Sequence, residues 1–320
     1  MNIARRSAAV LVLALVACSS HSASNSGSAA SGGSATSAPT KTIGVSIQNR
    51  EAQFYQEMEA GMTAEAKKYG YALNVVDANR DNARQQSQVE DFISKHVNAI
   101  VLTPYDSKAI GSAIVEANRA KIPVFTADIA STSKQGVVVA HIASDNVAGG
   151  MEAGKLICKA IGGSGEVAIV DEPEVTSVQD RVRGFKAYLA KSCPKAKIVA
   201  DVDSGGQRDK AANDVGDILQ THPHLRGIFG INDDSALGAL TAVRAAGMAG
   251  KVAIVGFDAT PEARTAIAKG EMYGDVVQHP EEIGKMVIDT LHDYFAGKMP
   301  PKVVKVPVGT YTAADAKKAP

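Results

Sequence analysis

Short β-branched runs recur along this chain, and most are followed by a stretch with the spacing of an amphipathic helix. The runs stand at 42–47, 72–76, 99–102, 123–126, 137–142, 166–170, 197–202, 227–231, 251–256 and 273–278. Between the first two, Phe54, Met58, Gly61, Met62, Glu65 and Ala66 keep one helical face, and further on Val89, Phe92, Ile93 and His96 keep another. Strands alternating with helices build βαβ units, hence parallel sheets covered by helices on both faces. The alternation runs once before about Ser144 and again after it. One open sheet does not comfortably hold so many strands, so the expected fold is α/β with two similar lobes, each a doubly wound parallel sheet with flanking helices.

Composition agrees with this and removes other classes. Aromatics are 5% of the residues, Trp is absent and Gly numbers 29, as expected of sheets and helices built from Val, Ile and Ala. Lys plus Arg total 34 against 34 Asp plus Glu, so no net field draws the chain to nucleic acid or anionic lipid. Three cysteines are too few for a disulfide-framework fold.

The first forty residues stand apart. Arg5 and Arg6 precede an apolar run of ten at 8–17, too short for the roughly 20 residues that a membrane-spanning helix needs. The run ends Leu15-Val16-Ala17-Cys18, which resembles the bacterial lipobox. In that reading 1–18 is a lipoprotein signal peptide, Cys18 is lipidated, and the exported chain is anchored at the cell envelope by acyl groups. The alternative is an ordinary signal peptide whose cleavage site happens to carry a Cys. Residues 19–40 are almost entirely Ser, Gly, Ala, Thr and Asn, which cannot bury enough apolar area to offset chain entropy. They are expected to form a flexible tether.

In open parallel sheets, the loops at the carboxyl ends of strands line the ligand crevice. Here those positions hold residues 48–55, Asp128, Asn232, Asp233, Asp234, Asp258 and Gln278. Carboxylates accept hydroxyl protons, amides donate and accept, and rings cover apolar C–H faces, so the set suits a neutral polyhydroxylated ligand. Each residue also has a plainer reading. Phe54 and Tyr55 open a helix and could staple a core. Asp128 could cap a turn, and Arg181 could pair on the surface with Asp180. Asn232, or else Asp233 or Asp234, could cap the helix that follows, Asp258 the helix from Pro261, and Gln278 could close a turn before His279-Pro280.

Seven stretches in order carry a family resemblance: Ile43 with Phe54-Tyr55, IPVFTAD at 122–128, HIASDN at 141–146, RVRGF at 181–185, NDDSALGAL at 232–240, VGFDATP at 255–261, and Gln278. Together they resemble the ribose-binding branch of the bacterial periplasmic sugar-binding proteins, over residues 41 to about 311. The resemblance implies a hinged, two-lobed receptor that closes on a sugar and delivers it to an ABC permease with its ATPase. It puts Phe54 and Tyr55 on the ring faces, Asp128 on hydroxyls from the first lobe, and Arg181 with Asn232 and Asp258 in the second. Gln278 reaches the ligand from a crossing between lobes. It further implies three exchanges of chain, giving a first lobe of 41–144 plus 279–306 and a second of 145–278 plus 307–320. No cofactor is implied, and the protein is expected to act as a monomer.

Three positions depart from the ribose pattern. Ile129 stands where the ribose binder has Arg after its aspartate, Ala52 where it has Asn before the aromatic pair, and Gly206 roughly where it has a third aromatic. Lost hydrogen bonds cost on the order of 1–3 kcal/mol each, which points away from ribose toward another pentose, a hexose or a polyol. Gln48, Arg50, Glu51 and Gln53 are candidates to replace those contacts.

Other chemistry finds few candidates. There is no CxxC, no GxSxG, and no histidine pair at i, i+4 around an acid, so neither a metal site nor a nucleophile is expected. The glycines at 162–165 precede a strand rather than follow one, and therefore read as a turn and not a phosphate loop. Asp145-Asn146 and Gly149-Gly150 read as helix capping and close packing. Cys158 and Cys193 fall on helices flanking the run 166–170 and are expected to pair outside the cytoplasm as a brace, the alternative being two separate thiols. A repressor on the same two-lobed core needs an N-terminal helix-turn-helix, whose place is taken here by signal and tether. A sensor presenting its closed form to a chemoreceptor or histidine kinase remains the rival to transport, and an enzyme on this scaffold is the third class.

Overall fold

The computed structural model describes residues 41–318, so Cys18, the expected signal 1–18, the tether 19–40 and the last two residues lie outside the described residues. The first sheet draws on β1 (Lys41–Ile47), β2 (Tyr71–Asp77), β3 (Ala99–Leu102), β4 (Val124–Ala127) and β5 (Val138–Ser144). Helices α1 (Gln53–Lys68), α2 (Asn82–Ser94) and α3 (Gly111–Arg119) connect its first four strands. The second sheet draws on β6 (Ser164–Asp171), β7 (Lys195–Asp203), β8 (Leu225–Gly230), β9 (Ala253–Asp258) and β10 (Gly274–Val277). They alternate with α4 (Asn146–Ala160), α5 (Thr176–Ser192), α6 (Arg208–Thr221), α7 (Asp233–Ala245) and α8 (Pro261–Ala268). The chain then returns through α9 (Pro280–Phe295) to β11 (Val303–Val306), and ends with β12 (Gly309–Thr312) and the short α10 (Ala313–Ala316).

Strand orders are β2-β1-β3-β4-β5-β11 and β7-β6-β8-β9-β10-β12. Every pairing is parallel except β10 with β12. The two sheets therefore repeat one doubly wound plan, with a switch point where β1 lies between β2 and β3 and another where β6 lies between β7 and β8. β11 and β12 escape the periodicity reading because each has only four residues and sits at a sheet edge among prolines. Because β11 pairs with β5 while α9 packs on α1, the late segment 280–306 belongs to the first sheet's layers. Among the described residues, no helix is long and apolar enough to cross a membrane.

Each lobe has cores on both faces of its sheet. In the first, Ile43, Val45 and Ile47 of β1 meet Met58 and Met62 of α1 and Ile283, Val287 and Leu291 of α9, all fully buried. In the second, Ile169, Phe229 and Phe257 pack on Phe185 and Ile157, with the Phe185 and Phe229 rings stacked at 4.7 Å. Both lobes use the same device to bring two helices together. Gly61 and Gly284 lie against backbone of the facing helix where α1 meets α9, and Gly150 and Gly184 do so where α4 meets α5. A Cβ at any of the four would collide with backbone, so the close crossings require glycine. Cys158 of α4 and Cys193, which ends α5, are joined as a disulfide with Cα atoms 6.0 Å apart.

Candidate functional site

The carboxyl ends of both sheets face one another across a shared cavity. Its lining includes all seven residues singled out in the sequence: Phe54, Tyr55, Asp128, Arg181, Asn232, Asp258 and Gln278.

On the first lobe, β1 ends in Gln48-Asn49. Asn49 Oδ1 accepts from the backbone N–H groups of Glu51 and Ala52, folding the turn that starts α1. That helix presents Phe54 and Tyr55 edge to face, ring centres 5.2 Å apart. Both rings touch the core and line the cavity, so the core and cleft readings hold at once. The Tyr55 hydroxyl lies 2.6 Å from Gln48 Oε1 and 3.3 Å from Asp128 Oδ2, and its one proton serves the nearer acceptor first. Burial, together with the Asp128 and Glu172 carboxylates, pushes the phenol well above its ordinary range, so it stays a neutral donor.

Asp128 follows β4 in an unusual backbone state. Its φ is +60°, and the N–H of Ile129 donates to the carbonyl of Ala127 across it at 2.6 Å, the pattern of a strained γ-turn. It caps no helix. Burial raises the Asp128 carboxyl above the usual aspartate range, opposed by the Arg181 charge and the Tyr55 hydrogen bond. Its Oδ1 is buried and meets no protein donor.

The second lobe's wall is ionic and tightly braced. Arg181 of α5 does not pair with Asp180, whose partner is Arg183. Instead its Nε donates to Asn146 Oδ1 at 2.9 Å, one Nη donates to the Ile231 carbonyl at 2.8 Å, and the guanidinium lies 4.0 Å over the Phe257 ring. Asn146 therefore holds the guanidinium, while Asp145 caps α4. Asn232 is the N-cap of α7, accepting from Ser235 N–H at 2.8 Å, so neither Asp233 nor Asp234 fills that place. Its amide also donates to the Gly206 carbonyl at 3.1 Å.

Asp258, at φ +137°, does not cap α8; Thr260 does. Gln278 donates to Asp258 Oδ1 at 2.6 Å, which leaves the buried Gln278 Oε1 without a donor. Burial, reinforced by the neighbouring Asp233, pushes Asp258 well above the usual aspartate range. Asp233 and Asp275 face one another beneath, and burial raises both. Two carboxyls in such contact hydrogen-bond only if one keeps its proton. Gly256 leaves room for them, since a Cβ there would lie 2.6 Å from Asp233 Oδ1 and 2.9 Å from Asp275 Oδ2.

Of the four candidates to replace missing contacts, only Gln48 reaches the cavity. Arg50 binds Glu59, Glu51 binds Arg80, and Gln53 bonds Glu57 along the outer helix face. Sequence reasoning missed Glu172, which follows β6 as Asp128 follows β4 and is buried at the cavity wall. The carboxyl-end rule reaches it, but in the run Asp171-Glu172-Pro173-Glu174 only burial separates it from a solvated turn acid. Burial lifts Glu172 to about 7, against the pull of Arg80, Gln48 and Arg181. Away from the cavity the lobes also touch where Ser107 N–H donates to the Glu174 carbonyl, Thr176 N–H to Ser107 Oγ, and Ala130 N–H to Thr176 Oγ1. Among the described residues, no group of three or more His, Cys, Asp or Glu is placed to hold a metal ion.

Known proteins share this plan. The family described as periplasmic binding protein domain matches residues 43–299. The ribose import binding protein of Bacillus subtilis is 33% identical over 268 residues, covering 83% of this chain and 86% of that protein. A solute binding protein of Actinobacillus succinogenes with bound D-allose superposes with a TM-score of 0.81 at 29% identity, covering 87% of this chain and 100% of that one. The Caulobacter myo-inositol binding protein, bound to myo-inositol, gives 0.81 at 30% identity, covering 87% and 95%. These relatives are named for what they bind and not for a reaction.

Proposed function

Because this chain belongs to the periplasmic binding protein family, whose members are exported, we propose that it captures a monosaccharide or polyol between its lobes and delivers it to an ABC importer. One observation carries the reading. Asp128 and Gln278, each with a buried acceptor (Oδ1 and Oε1) that meets no protein donor, line one cavity together with two aromatic rings. Unpaired buried acceptors cost about 1–3 kcal/mol each, and ligand hydroxyls are the donors that relieve them. Phe54 and Tyr55 cover the C–H face, Asp128 and Asp258 accept, and Arg181, Asn232 and Gln278 complete the polar contacts. Relatives with ribose, D-allose or myo-inositol in their names or titles span the same chemistry.

The mechanism is closure without bond-making. A ligand that touches both walls binds the closed arrangement better than either lobe alone, so it shifts the population toward closure. The strand exchanges at 144–146, 277–280 and 306–309 act as the hinge, and the closed form is what the permease recognises. Lipidation at Cys18 anchors the exported chain. The test is calorimetry and thermal shift against ribose, D-allose, xylitol and myo-inositol, with the compound assayed afterwards. Micromolar or tighter binding of at least one, recovered unchanged, is expected; no binding by any, or consumption of the ligand, overturns the reading. For the anchor, Cys18→Ser is expected to release the protein from the membrane fraction, and continued retention contradicts lipidation.

A further inference from the structure

Glu172 lines the cavity but has no part in the reading above. It directly follows β6, as Gln48 directly follows β1, and those two strands hold the equivalent central places in their sheets. The two switch points thus put an amide and a carboxyl in reach of each other, and Gln48 Nε2 donates to Glu172 Oε1 across the cleft at 3.2 Å. The other oxygen turns toward Gly206. A Cβ on Gly206 would lie 2.6 Å from Glu172 Oε2 and 3.0 Å from Asn232 Nδ2, and the residue has φ +62°. Gly206 therefore leaves its space to a carboxyl, and no side chain can grow there without displacing it.

The cavity is one-sided in its rings. Both come from α1 of the first lobe, while the second-lobe wall carries Glu172, Ser177, Arg181, Asn232 and Asp258, with Val175 and Val178 as its apolar members and no ring. A wall of rings covers C–H groups, whereas a wall of acceptors and donors needs hydroxyls opposite it. Resting on the reading of this cavity as a sugar or polyol site, we infer that Glu172 is its specificity-determining residue. Its carboxyl accepts a ligand hydroxyl at the second-lobe wall, selecting polyols and sugars that direct a hydroxyl there over those that present only C–H. Arg80, Arg181 and Glu174 are the charged groups around it, with Tyr55 and Tyr105 facing it as phenols, and burial lifts the carboxyl to about 7.

The test measures Kd for ribose, D-allose, xylitol and myo-inositol on the full chain and on Asp128→Asn, Glu172→Gln, Glu172→Leu and Gln48→Leu. Glu172→Leu is expected to weaken the tightest probe at least tenfold and to change its affinity ratio to the next probe at least tenfold. Glu172→Gln, which keeps volume and one acceptor, is expected to change the same ratio about threefold or more. Gln48→Leu removes the bond across the cleft and, on the first-lobe wall, the nearer acceptor of the Tyr55 hydroxyl, and is expected to weaken all probes with less than a threefold change in the same ratio. If only one probe binds, the Glu172→Leu loss must exceed the Gln48→Leu loss tenfold. Equal losses, a common factor for every probe, or affinities within twofold of wild type make Glu172 a tie between lobes and overturn the inference. Where Glu172→Leu does not fold, an unchanged ratio in Glu172→Gln overturns it as well. An affinity about 10- to 100-fold weaker in Asp128→Asn alongside any of these results leaves the cavity reading standing, whereas a wild type that binds none of the four ends both.

Discussion

The two walls of the cleft differ although the two sheets share a strand order. The first lobe offers two rings from α1 and an aspartate held in a strained turn, with one oxygen lacking a donor. The second offers Arg181 fixed by Asn146, Ile231 and Phe257, beside Asn232 and Asp258, which are themselves bonded to neighbouring backbone or side chains. The difference separates two ways of building a polar site. A residue that also braces its lobe cannot be removed without cost to the fold, and one held under strain can be. The second lobe is braced covalently too, by Cys158–Cys193 between α4 and the end of α5, and no disulfide occurs in the first lobe among the described residues.

The largest expected effect therefore falls on Arg181. Arg181→Ala leaves the Asn146 and Ile231 oxygens unpaired, and is expected to cost about 2–5 kcal/mol in urea unfolding and at least a hundredfold in ligand affinity. Unchanged stability would mean that the second wall is not built through this side chain. Next comes the brace. Replacing Cys158 and Cys193 together by Ala is expected to lower stability by about 3–4 kcal/mol on the loop-entropy estimate, with ligand affinity kept within twofold. A loss of affinity equal to that of the site variants would instead tie the disulfide to the cleft.

Glu172 sharpens the comparison through pH. Its folded pKa of about 7 lies above the ordinary 4.5, so between these values the folded chain holds a proton that the unfolded chain has released. The stability it contributes is whole below about pH 4.5 and is lost as pH rises through 7. Relative to wild type, Glu172→Gln is thus expected to become more stable by on the order of 2–3 kcal/mol between pH 4.5 and 8, read from unfolding curves. A parallel pH dependence in both proteins contradicts this. The smallest effect on the fold belongs to Asp128. Asp128→Asn keeps a residue that tolerates positive φ and removes a buried charge, so at neutral pH its melting temperature is expected to hold or rise. Its ligand affinity falls about 10- to 100-fold, as for a lost hydrogen bond to a charged group. A fall in melting temperature as large as that of Arg181→Ala would erase the contrast between the walls.

Much of this was legible in the chain. The alternating runs expose two parallel sheets because buried strands are apolar throughout, and the carboxyl-end rule finds Asp128, Asn232, Asp258 and Gln278 because loops there must face the crevice. Three things were not legible. The strands β11 and β12 are too short and too near prolines to show a period. The cap of α7 stayed open among Asn232, Asp233 and Asp234, and that of α8 fell on Asp258 instead of Thr260, because all five are competent caps and only the backbone path decides that Asn232 and Thr260 serve. Glu172 was passed over because its character comes from burial against Gly206 and Gln48, residues 34 and 124 positions away.

The most direct measurement is a crystal structure with the tightest-binding compound of the four. One molecule is expected in this cavity, stacked on Phe54 or Tyr55, bonded to Asp128 from one lobe and to Arg181 and Glu172 from the other. A molecule held by a single lobe, or bound outside the cleft, would contradict it.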